Sequence, residues 1–400
     1  MKCMQKEIDI KVKDSLAQDL QKGVPVLLKD GFHETDSLVD GTILKLRNPG
    51  GKFIGKGYVG KQNKGIGWLL TKNEAETIDT GFFQNKITNA LKHRKDYYKN
   101  DDTTAFRVFN GEGDGIGGLT IDYFDEFYLL SWYSEGIYAF KEQILKALES
   151  AVPSYKGIYE KKRFDTKGQY LEDDDFVKGE RGEFPLLVKE NGENFAIYLN
   201  DGAMVGVFLD QREVRKKIRD EYAKGKTVLN TFSYTGAFSV FAAAGGAKKT
   251  TSVDLAKRSL SKTTEQFEIN GINVEEQDII VMDVFDYFKY AKRKELSFDM
   301  VILDPPSFAR SKKYTFSSAK DYTKLLMDAI AITEKNGVIV ASTNNATFGM
   351  KKFKTFVEKA FNESNRKYVI EDEFSLPSDF RTSPLFKEGN YLKVLFIRAK

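Results

Sequence analysis

The chain has 400 residues, more than one ordinary domain requires, so we expect two or three domains that each bury a core. Its single cysteine, Cys3, and its two histidines, His33 and His93, exclude an internal disulfide and argue against a thiolate or imidazole metal centre, so no metal is predicted. The formal net charge of +4 is too small to indicate nucleic-acid binding by itself, although 19 Tyr and 31 Phe offer many stacking surfaces.

Signals for membrane insertion and export are both missing from the sequence. No apolar run approaches the ~20 residues that a membrane helix needs. Residues 1–20 are charged throughout and lack the apolar core of a signal peptide. We therefore expect a cytoplasmic protein without a membrane partner.

The first predicted domain spans residues 1–73 and is rich in β-strands. Short apolar or β-branched runs alternate there with Gly, Asp and Asn turns, which is typical of a small β-barrel. The predicted strands are residues 24–28, 39–46, 53–59 and 66–70. Basic residues lie on these strands and turns: Lys45, Arg47, Lys52, Lys56, Lys61 and Lys64. They could contact RNA phosphates or simply form a solvated surface, and composition alone leaves both interpretations open.

The second predicted domain spans residues 74–183 and mixes helices with strands. Helices are predicted at residues 74–98 and 137–148, and strands at residues 106–109, 119–123 and 157–160. Asp79 or Thr80 is the expected N-cap of the first helix. The glycine-rich residues 111–118 are interpreted as a tight connection between strands, because no helix follows them to complete a phosphate site. The charged residues 161–183 predict a mobile loop or linker.

The third predicted domain spans residues 184–400 and opens on a hairpin signal at residues 190–192, Glu-Asn-Gly. A helix rich in both charges is predicted at residues 210–222. Further along the chain, helices are predicted at residues 322–332 and 351–361, and strands at residues 337–342, 368–374 and 391–397. The last two strands are expected to form an antiparallel closing hairpin.

Within this domain, residues 226–254 read as a strand, a loop, a helix and a second strand. An apolar run stops at a polar turn, residues 230–236, and a stretch of small residues leads to a β-branched run that ends at Asp254. Gly236 lets the backbone approach a ligand closely, and a carboxylate at the end of the second strand can bind both hydroxyls of a ribose. The unit therefore predicts a nucleoside ligand.

The next two apolar runs also end in an aspartate. Residues 279–282 lead to Asp283, and residues 298–303 lead to Asp304. In a doubly wound sheet the carboxyl ends of successive strands lie side by side at the ligand crevice. Capping of strand ends is the structural alternative for such carboxylates.

Together these motifs resemble class I S-adenosylmethionine-dependent methyltransferases, in particular bacterial 23S rRNA methyltransferases with an N-terminal PUA domain. The matching segments are residues 111–119, 208–213, 229–236, Asp254, Asp283 and 304–308. The resemblance covers nearly the whole chain. It implies an α/β fold: a Rossmann-like methyltransferase domain at the C-terminus, preceded by a β-rich PUA-like domain and a central α+β domain. It also implies S-adenosylmethionine as cofactor and rRNA, specifically 23S rRNA, as partner; a homodimer is left open.

The resemblance further implies roles for individual residues. Gln211 and Arg212 would reach the amino-acid end of S-adenosylmethionine, Asp254 its ribose and Asp283 its adenine amine. The donor would be wrapped by the loop after the first strand, through Asn230, Phe232, Ser233, Tyr234, Thr235 and Gly236. The acceptor base would meet the methyl group at Asp304, Pro305, Pro306 and Phe308. A purely structural Pro-Pro turn is the alternative for this last motif.

The chain departs from the family members that methylate carbon 5 of cytosine. Those enzymes need a cysteine thiolate, because that carbon becomes nucleophilic only after a covalent adduct forms. The corresponding strand end here, residues 341–345, reads Ala-Ser-Thr-Asn-Asn. We therefore predict methylation of a ring or exocyclic nitrogen. The alternatives are a cytosine-C5 enzyme with another nucleophile, an RNA-binding protein that has lost catalysis, and an NAD-dependent oxidoreductase, whose Gly-x-Gly-x-x-Gly turn is missing.

Overall fold

The computed structural model describes residues 6–62, 65–164, 175–202, 204–310 and 313–400, so the predictions for Cys3 and Lys64 lie outside the described residues. The chain divides into two units. Unit 1 runs to Leu186 and also contains Tyr198–Val205 and Ser378–Gly389. Unit 2 contains Leu187–Ile197, Gly206–Pro377 and Asn390–Lys400. The predicted domain boundaries after residues 73 and 183 stay predictions.

The N-terminal part of unit 1 is a β-sheet with one helix packed on it. Its elements are β1 (Glu7–Lys11), α1 (Asp14–Lys22), β2 (Val26–Leu27), β3 (Ile43–Arg47), β4 (Phe53–Gln62) and β5 (Gly65–Thr71). The described strands pair in the order β1-β3-β4-β5-β2, and only β1 and β3 are parallel. The predicted β-rich character is confirmed, whereas β1 and α1 were not predicted.

A second sheet, with helices, completes unit 1. Its elements are α2 (Thr80–His93), β6 (Ala105–Asn110), β7 (Leu119–Phe124), β8 (Phe127–Trp132), α3 (Glu135–Tyr138), α4 (Lys141–Ala151), β9 (Gly157–Lys162) and β10 (Phe176–Gly179). Asp79 caps α2 by accepting a hydrogen bond from the Phe82 N–H, as predicted. The prediction of a loop over residues 161–183 is wrong at β10, which pairs antiparallel with β9 and packs Phe176 on Tyr159, and at residues 161–162, which end β9. Residues 165–174 of that prediction lie outside the described residues.

One hydrophobic cluster joins the two sheets of unit 1. Tyr58 and Trp68 of the first sheet belong to the same buried cluster as Phe106 and Trp132 of the second. The glycine-rich connection between β6 and β7 packs against the segment Ser378–Gly389 of the same unit. A Cβ on Gly113 would lie 1.8 Å from the Arg381 carbonyl oxygen, so only glycine allows this close approach.

Unit 2 contains the predicted strand and helix alternation. Its elements are β11 (Leu186–Glu190), β12 (Glu193–Ile197), α5 (Arg212–Lys217), β13 (Thr227–Thr231), α6 (Ala237–Ala244), β14 (Lys249–Asp254), α7 (Arg258–Glu268), β15 (Asp278–Val281), α8 (Val284–Arg293), β16 (Phe298–Leu303), β17 (Phe308–Arg310), β18 (Thr315–Ser317), α9 (Ser318–Ile330), β19 (Thr333–Thr343), α10 (Met350–Glu363), β20 (Tyr368–Phe374) and β21 (Lys393–Ala399). Seven of the described strands form one sheet in the order β15-β14-β13-β16-β19-β21-β20.

The first five strands of this sheet are parallel, and the last two close it antiparallel, as predicted. The chain moves outward from β13 through β14 to β15 and then returns to the other side of β13 with β16. This reversal creates a crevice at the carboxyl ends of β13 and β16, where ligands bind in doubly wound folds. Among the described residues, no helix is long and apolar enough to cross a bilayer.

Candidate methyl-transfer site

The carboxyl ends of neighbouring parallel strands gather the predicted site residues at one edge of the sheet. Asn230 lies in β13, Asp254 ends β14, and Asp304 directly follows β16. Because β13 pairs with both β14 and β16, these three residues lie at adjacent strand ends. Asp283 follows β15, the edge strand beyond β14. The expectation that the acidic strand ends share one crevice is thus consistent with the sheet order.

The loop after β13 is held in a conformation that ordinary residues rarely adopt. Phe232 and Tyr234 have positive φ angles of 54° and 51°. Gly236 begins α6 with φ 78°, and a Cβ there would lie 2.5 Å from the Thr263 methyl group. Each non-glycine residue in this region costs on the order of 1 kcal/mol or more, so the surrounding contacts must impose the shape. Such strain is concentrated at ligand sites.

Side-chain and backbone hydrogen bonds fix this loop against neighbouring segments. The Tyr234 N–H donates to Asp254 Oδ2 at 2.9 Å, and the Thr235 hydroxyl donates to the Gly206 carbonyl at 2.6 Å. The Ser233 N–H donates to the Val253 carbonyl at 3.1 Å. These hydrogen bonds therefore fix the shape of the loop.

Asp254 makes structural contacts through both carboxylate oxygens, and Asp283 makes one through Oδ1. Asp254 Oδ1 accepts the Ala256 N–H at 2.8 Å, and Asp283 caps α8 by accepting the Phe285 N–H at 3.0 Å. Both carboxylates are partly exposed. Since a carboxylate oxygen can accept two hydrogen bonds, these contacts orient the groups and leave acceptor capacity for a ligand.

Two buried amide oxygens at this edge have no hydrogen-bond partner among the described residues. They are Oδ1 of Asn230, which is fully buried, and Oε1 of Gln211, whose residue is 4% exposed. Buried acceptors of this kind are costly unless a donor reaches them. A ligand that carries N–H donors fits such a site. Arg212, the neighbour of Gln211, is 1% exposed and lies 3.4 Å from Glu213 through Nε.

Asp304, the titratable residue of the predicted acceptor motif, has a strongly raised pKa. Burial raises its pKa to about 6, and the charge of Asp210 acts in the same direction, while the Ser342 hydroxyl and Arg215 oppose them. Gln211 Nε2 donates to Asp304 Oδ1 at 3.0 Å and to the Ser342 hydroxyl at 2.8 Å. A carboxyl group with a pKa this close to neutrality can exchange a proton under working conditions.

The rest of the acceptor motif connects β16 to β17. Pro305 is buried and Pro306 is exposed, and the Ser307 hydroxyl donates to Asn344 Oδ1 at 2.6 Å. Phe308 opens β17, which pairs with β18, and its side chain is 63% exposed. An exposed ring beside a cleft is a suitable stacking surface for a base.

The strand end opposite this motif contains contacts that the sequence did not indicate. Asn345 is 8% exposed; its Nδ2 donates to the Ser318 hydroxyl at 2.9 Å, and its carbonyl accepts the Lys393 ammonium at 2.7 Å. Burial lowers the pKa of Lys393 to about 8. Lys393 pairs with Thr343 across β19 and β21 but is 50 positions away in sequence, so no local signal could have identified it.

Comparison with known proteins decides the family. The profile of the S-adenosylmethionine-dependent methyltransferase family matches residues 114–384. The chain belongs to this family. A PUA-like domain profile matches residues 10–72. The predicted fold class, enzyme class and cofactor are thereby confirmed, and the NAD-dependent alternative is excluded.

Relatives of this methyltransferase cover almost its full length. A Bacillus subtilis protein with the provisional name ribosomal RNA large subunit methyltransferase YwbD is 58% identical over 97% of this chain and 99% of its own. Ribosomal RNA large subunit methyltransferase I of Aeromonas salmonicida is 30% identical over 90% of this chain and 91% of its own. A crystal structure of SMU.776, described provisionally as a methyltransferase and complexed with SAH, has a TM-score of 0.91 and 40% identity, covering 98% of this chain and 100% of that one.

Proposed function

We propose that this methyltransferase transfers the methyl group of S-adenosylmethionine to a base nitrogen of large-subunit rRNA, the 23S rRNA of bacteria. The relatives support rRNA as the substrate, because they are named as large-subunit rRNA methyltransferases and they align with nine tenths or more of this chain. The observation that carries the choice of nitrogen is the acceptor site itself. Asp304, with its pKa raised to about 6, lies beside a strand end that has no thiol.

The chain's own residues would bind the donor and orient the base. Asp254 would bind the ribose hydroxyls, Asp283 the adenine amine, and the loop from Asn230 to Gly236 would enclose the donor. When bound, S-adenosylmethionine supplies a methyl group already activated by its sulfonium, so no metal chemistry is needed. The protein's task is in-line placement of donor and acceptor.

Asp304 would hold the acceptor nitrogen. Its carboxylate would accept an N–H of the base, which directs the nitrogen lone pair toward the methyl group. As the new C–N bond forms, the nitrogen becomes positively charged and a proton must leave; Asp304 is placed to receive it. Phe308 would stack on a base drawn out of its helix.

Attack from carbon 5 of a pyrimidine is disfavoured by the contacts of the nearby hydroxyls. Ser342 Oγ receives the Gln211 amide, and Thr343 Oγ1 accepts the Asn345 N–H at 3.3 Å. No histidine stands close in sequence to activate either hydroxyl. Covalent activation of a ring carbon needs a strong nucleophile, and a nitrogen does not.

Nucleoside analysis tests the acceptor atom. We expect RNA treated with the enzyme and S-adenosylmethionine to yield an N-methylated nucleoside by mass spectrometry. A Cys3→Ser variant should give the same product, because the chemistry uses no thiol. Recovery of 5-methylcytidine would show that the carbon pathway operates and that another nucleophile serves it.

The role of Asp254 is tested by cofactor binding. Asp254→Ala should weaken binding of S-adenosylhomocysteine roughly tenfold or more, because a charge-assisted hydrogen bond contributes about 1.5–3 kcal/mol. Calorimetric titration measures this. Asp278→Ala provides the control, since Asp278 begins β15 at the opposite end of the strand and pairs with Lys249. Equal affinities in wild type and Asp254→Ala would remove the assignment.

The basic residues of the first sheet that are predicted to bind RNA separate into two groups. Lys45 pairs with Glu7 at 2.7 Å, Arg47 with Glu74 at 2.8 Å, and Lys56 is 5% exposed and donates to the Glu76 carbonyl. These three are committed to intramolecular contacts. Lys52 and Lys61 are exposed. We therefore assign phosphate contacts to the second group.

Charge reversal tests this division. Lys52→Glu with Lys61→Glu should lower rRNA affinity and flatten its dependence on salt, by about one slope unit for each phosphate that a lysine no longer neutralises. Binding of S-adenosylhomocysteine should stay unchanged. Reversal of Lys29, an exposed lysine outside the predicted set, is the control. If rRNA binding and its salt slope are the same in all three proteins, this sheet does not bind the RNA backbone.

Two finer assignments complete the proposal. Because the proposed substrate is bacterial rRNA, the enzyme would act in the cytoplasm. A homodimer stays a prediction, which sedimentation of the purified protein would test.

A further inference from the structure

Gln211 lies between two groups of the acceptor site. Its amide Nε2 donates to Asp304 Oδ1 at 3.0 Å and to the Ser342 hydroxyl at 2.8 Å. Gln211 belongs to the short turn that precedes α5, and its partners lie 93 and 131 positions further along the chain. Both N–H donors of the amide are used, so the side chain is fixed against Asp304.

The orientation of this amide follows from charge. The reverse orientation would place the amide oxygen against a carboxylate oxygen, and two acceptors repel each other. The amide therefore presents its N–H to Asp304. Its oxygen, Oε1, is buried and has no hydrogen-bond partner among residues 6–62, 65–164, 175–202, 204–310 and 313–400. A buried acceptor of this kind requires a donor, which a bound ligand can provide.

We propose that Gln211 is a positioning residue for Asp304, and that its Oε1 accepts an N–H from the base being methylated. This inference rests on the proposed function and assigns Gln211 to the acceptor side of the site. Donation to Oδ1 fixes the plane of the carboxylate and leaves Oδ2 for the base. Asp304 and Gln211 then offer acceptors only, so the base edge that fits them carries two N–H donors.

The pKa of Asp304 also depends on the charged and titratable groups around it. Asp210 raises the pKa of Asp304, whereas Arg215 of α5 and the Ser342 hydroxyl of β19 lower it. Tyr322 of α9 has its pKa raised well above the usual value by burial and stays neutral, donating to the Ser342 carbonyl. A hydrogen bond to the ionised carboxylate favours that form. Loss of the Gln211 amide should therefore raise the pKa of Asp304 further.

Gln211→Met is the main variant, because methionine has a similar length and shape but lacks both amide atoms. With S-adenosylmethionine saturating, we expect kcat for RNA methylation at pH 8 to fall roughly tenfold or more. In a plot of kcat against pH, the acid limb is the low-pH side, where activity rises as Asp304 loses its proton. This limb should move to higher pH. The Kd of S-adenosylhomocysteine should stay within about twofold of wild type. A residue that only stabilises the fold would change neither the acid limb nor the ratio of these two effects.

Gln211→Glu and Asp254→Ala are the comparison variants for Gln211→Met. Glutamate would place a second carboxylate against Asp304, so the acid limb should move further than in Gln211→Met. Asp254→Ala should weaken cofactor binding and leave the acid limb in place. A tenfold loss of S-adenosylhomocysteine affinity in Gln211→Met with an unmoved acid limb would overturn the proposal and return Gln211 to the cofactor.

A measurement without substrate separates this inference from the proposed function. The carboxyl ¹³C signal of Asp304, identified by its loss in Asp304→Asn, reports the pKa directly. We expect the pKa to be higher in Gln211→Met than in wild type. If wild type methylates no rRNA, the proposed function fails while the carboxyl signal still decides whether Gln211 positions Asp304. An unchanged pKa overturns the positioning role.

Discussion

Asp304→Asn is expected to lower methyl transfer at least ~100-fold while making the folded protein more stable at pH 8. Burial raises the pKa of Asp304 from its ordinary 3.8 to about 6. The ionised carboxylate therefore costs stability wherever it is charged in the fold. Asparagine keeps an oxygen for the Gln211 amide and removes the charge. The gain in unfolding free energy should be at most about 3 kcal/mol, since each pKa unit corresponds to about 1.4 kcal/mol.

The sign of this effect depends on pH. Well below pH 3.8 the carboxyl group is protonated in both the folded and the unfolded state, so Asp304 costs nothing and wild type and variant should be equally stable. As pH rises from about 4 to 6, the carboxyl group of Asp304 loses its proton in the unfolded state before it does so in the folded state. The unfolded state is thereby favoured, and the wild type loses stability over this range. Denaturant unfolding at about pH 3, below the ordinary pKa of the group, and at pH 8 measures the difference.

Asp299, in the strand that leads to Asp304, is a control of opposite sign. Burial alone would raise its pKa, but the Thr227 N–H at 2.9 Å and the Thr227 hydroxyl, with Lys226, outweigh burial and lower it. Asp299→Asn should therefore lose stability at pH 8. Methylation by Asp304→Asn should fall at least ~100-fold, as expected for removal of a general base. A destabilised Asp304→Asn protein would contradict the burial cost, and an active one would contradict the catalytic role.

Arg215→Ala is expected to destabilise unit 2 by about 3–5 kcal/mol. Arg215 Nε and Nη2 donate to the two carboxylate oxygens of Glu190 at 2.7 and 2.8 Å, and both side chains are almost completely buried. Nη2 also donates to the Phe208 carbonyl at 2.7 Å, in the segment that leads to Gln211. Removal of the arginine leaves an uncompensated buried charge. Denaturant unfolding measures the loss.

The next residue in α5 supplies a matched control. Lys216 pairs with Asp220 on the exposed face of the helix, where ion pairs contribute about 0–1 kcal/mol. Lys216→Ala should therefore change stability little. Arg215→Met combined with Glu190→Leu should recover most of the loss, because two apolar side chains need no charge partner. Equal stabilities of Arg215→Ala and Lys216→Ala would show that the buried pair has no special weight.

Local chemistry explains which elements could be predicted. Asp79 caps α2, and the Asn191-Gly192 turn joins β11 to β12 with φ angles of 49° and 91°. Both depend on residues within a few positions, so the sequence alone identified them. The apolar runs of the parallel strands are likewise recognisable, because such strands are covered on both faces. By contrast, β10 carries no such pattern, and its place in the structure is the antiparallel pairing with β9.

The sequence by itself determined the family, the alternation of strands and helices in unit 2, and the acidic ends of β14, β15 and β16. Only the tertiary structure decided which side chains meet: Gln211 with Asp304, Arg215 with Glu190, and Lys393 with the Asn345 carbonyl. Periodicity and turn chemistry act over a few residues and can be read locally. Contacts between residues tens of positions apart, and the pKa shifts that burial causes there, depend on the order of strands in the sheet, which no local pattern specifies.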